Sequence, residues 1–307
     1  MKIKRNLSIL LIVVLLTGIL VGCSSDKGNE EFVIMEGTFS EVSILGHMVG
    51  QLIEEYTDLD VTYHDAMSTV PFANAVESGE IDLGLSYDGT LLSTLLGYDP
   101  SDVPKGKDLF EWANQKGKED RGLMLTGNLG FENTYALGVK RDFAEKNDIK
   151  SISDLKPYTE NLTFGAEHEF FDEEGTVRFK PFNKYYGIKW KDSKSMELAY
   201  KYSAIDSNNI DVTMVYTTDG LNVKSDLAML EDDKNFFPQY YGSFLVRDGV
   251  YKEFAETAPN LKKVLTMLNG KIDNETMTQM NYQADVEGKD PDDIAREFLV
   301  KEGLIKE

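Results

Sequence analysis

A thirteen-residue pattern occurs twice in this chain, and a duplication of that kind restricts the fold more than composition does. Ala75-Val76-Glu77-Ser78-Gly79-Glu80-Ile81-Asp82-Leu83-Gly84-Leu85-Ser86-Tyr87 returns, 129 residues later and without a gap, as Ala204-Ile205-Asp206-Ser207-Asn208-Asn209-Ile210-Asp211-Val212-Thr213-Met214-Val215-Tyr216. Each copy reads as a helix end, a polar turn and a buried strand that opens with Ile-Asp. Each closes on a tyrosine at the start of a turn, Asp88-Gly89-Thr90 in one case and Thr217-Thr218-Asp219-Gly220 in the other. A chain that carries such a unit twice is expected to form two similar lobes. In open α/β sheets, ligands bind beyond the carboxyl ends of the strands. Two facing lobes would therefore each present one tyrosine to a shared cleft.

The rest of the chain alternates strand and helix signals, which predicts an α/β fold with a mostly parallel sheet in each lobe. Strands are expected at Phe32–Met35, Val61–Tyr63, Tyr135–Val139, Leu162–Ala166, Val212–Tyr216 and Ser243–Val246. Ser40 reads as the N-cap of a helix whose apolar positions are Val42, Leu45, Met48, Val49, Leu52 and Ile53, with Glu41 placed to suit the helix dipole. Further helices are expected at Lys105–Lys118, Phe179–Tyr186, Ala258–Leu268, Asn274–Val286 and Asp290–Lys301.

The first residues indicate export. Lys2, Lys4 and Arg5 precede an apolar run from Leu7 to Ile19, and Leu20-Val21-Gly22-Cys23 supplies small residues before a cysteine. This is the pattern of a secretory signal, too short in its apolar core for a comfortable membrane span. Residues 1–22 are read as the signal and 23–30 as a polar tether. Cys23 is the only cysteine, so the exported part has no disulfide, thiol nucleophile or cysteine metal site. A leader holding three of the 32 basic and none of the 53 acidic residues takes the formal charge from −21 to −24 on removal. Such a surface repels nucleic acid and anionic lipid headgroups. The lobes are expected at 31–136 with 243–307, and at 137–242.

Catalytic and metal-binding constellations are weak. His47, His64 and His168 lie in different elements without ligand-like spacing, and neither a phosphate loop nor a Gly-x-Ser-x-Gly elbow occurs. No metal, cofactor or enzymatic activity is expected. Aromatic residues at turns are more telling: besides Tyr87 and Tyr216 there are Phe131-Glu132-Asn133-Thr134-Tyr135 and Phe236-Phe237-Pro238-Gln239-Tyr240-Tyr241. Tyrosine hydroxyls at strand ends want water or a partner, which suits a binding site. A box of tyrosine faces suits a quaternary ammonium group, which donates no hydrogen bond and is attracted to electron-rich rings.

The stretches Thr38-Phe39-Ser40-Glu41, Ser68-Thr69-Val70, Tyr87-Asp88-Gly89-Thr90, Gly130-Phe131-Glu132-Asn133-Thr134-Tyr135-Ala136, Tyr216-Thr217-Thr218-Asp219-Gly220 and Asp232-Asp233-Lys234-Asn235-Phe236-Phe237-Pro238-Gln239-Tyr240 carry a resemblance over about residues 31 to 302. The chain resembles the substrate-binding lipoproteins of osmoprotectant ABC transporters, those for glycine betaine, carnitine and choline. The resemblance implies a two-lobed periplasmic-binding-protein-like fold of type II with the ligand in the cleft. It implies a four-tyrosine cage of Tyr87 and Tyr135 from the first lobe and Tyr216 and Tyr240 from the second. Polar contacts to a ligand carboxylate would fall on Ser40 and Thr69, with Thr90 a further position. Leu20-Val21-Gly22-Cys23 resembles the bacterial lipoprotein box, which implies lipidation of Cys23 and an anchor at the outer face of the cytoplasmic membrane. Implied partners are a small quaternary ammonium ligand and ABC permease and ATPase subunits, with the binding protein itself a monomer. Ergothioneine, bound by relatives of the same fold, and a sensory or structural surface lipoprotein remain as alternatives.

Two departures bear on ligand charge. The family commonly has Tyr-Thr-Gly-Thr where this chain has Tyr87-Asp88-Gly89-Thr90. It often has arginine or asparagine in the loop that here reads Phe170-Phe171-Asp172-Glu173-Glu174-Gly175, with Arg178 the nearest compensating charge. Acidic groups beside the cage would favour a ligand without a carboxylate, and a choline hydroxyl would donate to Asp88.

Overall fold

The computed structural model describes residues 30–172, 176–198 and 200–306. The leader, Cys23 and the tether up to residue 29 lie outside the described residues, as do Glu173 and Glu174 of the acidic loop.

In the first lobe β1 (Glu30–Met35) pairs with β2 (Leu59–His64), and a parallel bridge from Ile34 to Leu83 joins β1 to the segment leading into β3 (Gly84–Tyr87). A short β4 (Leu123–Leu125) follows. The second lobe holds β5 (Tyr135–Lys140), β6 (Thr163–Glu167), β7 (Asp192–Met196), β8 (Val212–Tyr216) and β9 (Leu227–Leu230), in the order β7-β6-β8-β5-β9. The chain then returns through β10 (Gly242–Arg247), which lies between β3 and β4. The buried side chains separate accordingly: Phe32 to Phe131 with Phe244 to Ile305 form one cluster, while Ala136 to Phe237 supply two others.

The sheets are mixed rather than mostly parallel. β6 runs parallel to β7 and β8, but β5 is antiparallel to β8 and β9, and β10 is antiparallel to β3 and β4. The reason is topological. β5 and β10 are the strands that enter each lobe directly from the other, without the helical crossover that parallel pairing requires.

α1 (Ser40–Tyr56) buries Val42, Leu45, Met48, Val49, Leu52 and Ile53, as its spacing predicts. Ser40 is its first residue rather than its cap. Phe39 precedes the helix in an extended conformation, and Ser40 Oγ instead donates to Asp285 at the end of a distant helix. Expected strands that carry apolar runs are present to within two residues at each end. β7, with the sequence Asp-Ser-Lys-Ser-Met and four of its five residues exposed, carries no apolar alternation to reveal it.

The duplicated pattern has a structural counterpart in detail. α2 (Thr69–Ser78) and α3 (Tyr200–Asp206) both lead into a left-handed residue, Gly79 at φ 78° and Asn208 at φ 56°, residue types that tolerate this region. Ile81 N then donates to Ala75 O at 3.2 Å, and Ile210 N to Ala204 O at 3.3 Å. The aspartates that follow each clasp the neighbouring strand twice. Asp82 N donates to Val33 O at 2.8 Å while its Oδ2 accepts from Val33 N at 2.7 Å. Asp211 N donates to Thr163 O at 2.8 Å while its Oδ2 accepts from Thr163 N at 2.8 Å. The Ile-Asp pair therefore seals equivalent strand edges in the two lobes and delivers Tyr87 and Tyr216 to equivalent strand ends.

Candidate functional site

The four tyrosines assemble as two stacked pairs. Tyr87, at the end of β3, stacks on Tyr240 with ring centroids 5.1 Å apart and planes 29° apart. Tyr135, opening β5, lies opposite Tyr216, closing β8, with centroids 5.0 Å apart, planes at 28° and hydroxyls 3.3 Å apart. The division between lobes differs from that expected. Tyr135 belongs to the second sheet and packs against Phe170 and Phe237, because a strand direct from the first lobe begins with it. Tyr240 precedes β10 and folds against the first lobe.

Local chemistry fixes the Tyr87–Tyr240 pair. A Cβ on Gly89 would lie 2.3 Å from the Tyr240 ring, so glycine is required for the backbone to let that ring in. The Tyr240 and Thr90 hydroxyls share a hydrogen bond of 2.5 Å. Asp88 is fully buried, and its Oδ1 accepts from Gly89 N at 2.7 Å and Tyr241 N at 2.9 Å, its Oδ2 from Gln239 Nε2 at 3.0 Å. Burial pushes its carboxyl up to about 6, against the opposing pull of those three donors.

A cleft of about 470 Å³ opens on this arrangement. Tyr87, Tyr216, Tyr240, Thr90 and Ser40 line it, and Tyr135 backs Tyr216. Two expected site residues are elsewhere. Asp88 does not border the cavity, since its carboxylate is turned into the Gln239–Tyr241 loop to hold it. Thr69 is exposed at the first turn of α2 and is also off the cavity wall. Phe39 and Leu198, each 49% exposed, border the cleft.

Glu41 is the largest omission from the sequence reading. It is 1% exposed yet borders the cleft, accepting from Tyr87 Oη at 2.5 Å and Asn133 Nδ2 at 3.1 Å on Oε1, and from Asn281 Nδ2 at 3.1 Å on Oε2. Burial holds its carboxyl above the usual range. Burial likewise raises the Tyr87, Tyr216 and Tyr240 hydroxyls, which stay protonated at neutral pH. The signal for Glu41 was present: with Leu45, Met48 and Leu52 it completes the i, i+4, i+7, i+11 stripe of the buried helix face. A second buried charge lies behind Tyr216. Lys201 Nζ, on α3, is 3.6 Å from Glu167 Oε2 and 5.0 Å from the Tyr216 ring centroid, with desolvation lowering its basicity.

The histidines stand apart from the cleft, His47 beside Glu36 and Asp292, His64 beside Glu80 and His168 beside Glu197. Among the described residues no group of three or more His, Cys, Asp or Glu is arranged to hold a metal, and no helix is long and apolar enough to cross a membrane.

A family profile described as the substrate binding domain of ABC-type glycine betaine transport systems matches residues 31–301. The chain belongs to that family. As a substrate-binding protein of an ABC transporter it is not an enzyme. It is 34% identical over 312 residues to the carnitine transport binding protein OpuCC of Listeria monocytogenes, covering 99% of both chains. It is 30% identical over 304 residues to the ergothioneine transport permease/ergothioneine binding protein EgtU of Helicobacter pylori. That match covers 99% of this chain but only 53% of the relative, so the chain spans about half of EgtU's length. Among solved structures, a glycine betaine/carnitine/choline ABC transporter protein superposes with a TM-score of 0.81 at 29% identity, covering 90% of this chain and 98% of the other. Apo YehZ of Escherichia coli gives 0.75 at 23% identity, covering 90% and 99%, which supports the same two-lobed fold.

Proposed function

We propose that this substrate-binding protein holds a quaternary ammonium solute between Tyr87, Tyr135, Tyr216 and Tyr240 and delivers it to the permease and ATPase of an ABC importer. The observation that carries the reading is the pair of stacked tyrosine dyads bordering one cleft, with three of the four rings on its wall. Quaternary ammonium groups are hosted by such ring sets. At about 2 kcal/mol per desolvated ring, four rings supply a gross attraction of about 8 kcal/mol. That is the size of a micromolar binding free energy, so polar contacts have to offset the cost of association. The names of the relatives point to the same chemistry, since carnitine, glycine betaine and ergothioneine are all trimethylammonium compounds. Choline belongs to the same class. Ergothioneine has the specific support of a relative that aligns with 99% of this chain.

In this reading the lobes comprise residues 31–134 with 240–307, and 135–239, the crossings lying two to three residues before the expected 136/137 and 242/243. The protein is a monomer, lipidated at Cys23 and held at the outer face of the cytoplasmic membrane. The test is titration calorimetry of the exported domain with choline, glycine betaine, carnitine and ergothioneine in turn. At least one should bind with micromolar or tighter affinity. Absence of binding by all four would overturn the reading.

A further inference from the structure

The polar inventory of the cleft wall is one-sided. Among the described residues that line it there are three carboxylates, Glu41, Asp219 and Asp285, and no Lys, Arg or His. Several of the hydrogen-bond donors on the wall are engaged within the protein. Tyr87 Oη and Asn133 Nδ2 donate to Glu41, Ser40 Oγ to Asp285, and the Thr90 and Tyr240 hydroxyls bond each other. The Tyr216 and Tyr135 hydroxyls share a hydrogen bond of 3.3 Å.

Asn281 makes the imbalance specific. It is 4% exposed and borders the cleft. Its Nδ2 is committed twice, to Glu41 Oε2 at 3.1 Å and to Thr218 O at 2.8 Å. Those two acceptors fix the orientation of the amide, because a flip would set its oxygen against both of them. Its Oδ1 is left buried without a hydrogen-bond partner among the described residues, and Asn133 Oδ1 on the same wall is in the same state. A buried acceptor without a donor is destabilising, because it has given up water and gained no partner. A ligand that brings a donor to that atom recovers this cost, and one that does not leaves it unpaid.

We propose that the cleft is built for a quaternary ammonium solute that also carries an O–H or N–H donor, with Asn281 Oδ1 as the specificity-determining acceptor. This rests on the reading of the site as a quaternary ammonium site and adds a second requirement to it. Choline and carnitine have the donor as a hydroxyl and ergothioneine as a ring N–H, whereas glycine betaine has none.

The test uses matched ligands on the wild-type protein, so that no variant has to fold. Choline is compared with trimethylpropylammonium, which replaces the hydroxyl by a methyl at equal charge, and carnitine with its deoxy analogue γ-butyrobetaine. Ergothioneine is compared with the form methylated at both ring nitrogens. Whichever donor-bearing solute binds best should do so about tenfold or more tightly than its donor-free partner, and more tightly than glycine betaine. Asn281→Leu should bring the matched-pair ratio close to one. Equal affinity within the matched pair of the best binder, or glycine betaine binding as tightly as the best donor-bearing solute, overturns the donor requirement and leaves the quaternary ammonium reading standing. A ratio that Asn281→Leu does not change overturns the assignment of Asn281. Absence of binding by every compound overturns both.

Discussion

Asp88 offers the sharpest test of how the cleft is built, because replacing it by Asn and by Ala should give clearly different stabilities. The carboxylate is fully buried and accepts two backbone N–H groups on Oδ1, those of Gly89 and Tyr241, and the Gln239 amide on Oδ2. Asn keeps an oxygen for the two backbone donors, and a flipped Gln239 amide can accept from its new NH₂. Ala leaves two buried N–H groups unpaired, at roughly 1–3 kcal/mol each. The charge itself is a burden, since burial raises the carboxyl from 3.8 to about 6. A folded-state value above the unfolded one means that the associated stability is fully present below pH 3.8 and is lost as pH rises through 6. The loss amounts to about 3 kcal/mol. Asp88→Asn should therefore match the wild type near pH 4 and exceed its stability at pH 7.5 by up to about 3 kcal/mol. Asp88→Ala should be less stable than Asp88→Asn by about 2–6 kcal/mol at both pH values, and should weaken ligand binding because the loop carrying Tyr240 loses its anchor. Urea unfolding of the three proteins at pH 4 and 7.5, with calorimetric titration of ligand at pH 7.5, measures each quantity. Asp88→Asn destabilising the protein at pH 7.5 as much as Asp88→Ala would refute the reasoning, since the negative charge and not its acceptor geometry would then hold the loop.

The remaining predictions concern the cage, its supports and its motion. Tyr87→Ala, Tyr135→Ala, Tyr216→Ala and Tyr240→Ala should each lower affinity for the best-binding solute about tenfold or more in calorimetry, and the Phe variants less, because they keep the ring. Lys201→Met leaves Glu167 buried without its cation and should cost about 3–5 kcal/mol in denaturant unfolding, whereas the double variant with Glu167→Gln should recover most of that. Rings divided between two lobes are bridged by a bound solute, so small-angle scattering should show a smaller radius of gyration with saturating ligand than without. Identical profiles would argue against closure.

The parts of the fold and site legible in the sequence were those that repeat a simple period. β8 and the helix at Phe179–Tyr186 agree residue for residue with their apolar patterns, and the duplicated Ile-Asp segment marks equivalent strand edges. The four tyrosines and Thr90 come together because strand ends and glycine turns place them, and both features are local. What the pattern did not yield depends on contacts distant in sequence. The carboxylate of Asp88 faces a loop some 150 residues away, a choice between two directions that no local spacing encodes. Asn281 and Asp285 reach the cleft only because the helix at Asn274–Asp285 packs on α1. The antiparallel entry of β5 and β10 follows from the chain changing lobes, which an alternation of strand and helix signals does not record. For Glu41 two local explanations coincide, since an acidic first-turn residue suits the helix dipole and also falls on the buried stripe with Leu45, Met48 and Leu52.

The stacking of the four rings bears on how a solute is let go. Each dyad is complete within its own half of the molecule, Tyr87 on Tyr240 and Tyr135 on Tyr216, and neither relies on the other for its geometry. If the solute is gripped between them as proposed, the hold of the rings on its ammonium group is set by the distance between halves. A transport complex that prises the lips apart would divide the grip in two without unstacking a single ring, turning a retentive carrier into a leaky one by rigid displacement alone. The same economy works in reverse: an emptied protein is ready for the next cargo as soon as the halves are free to meet.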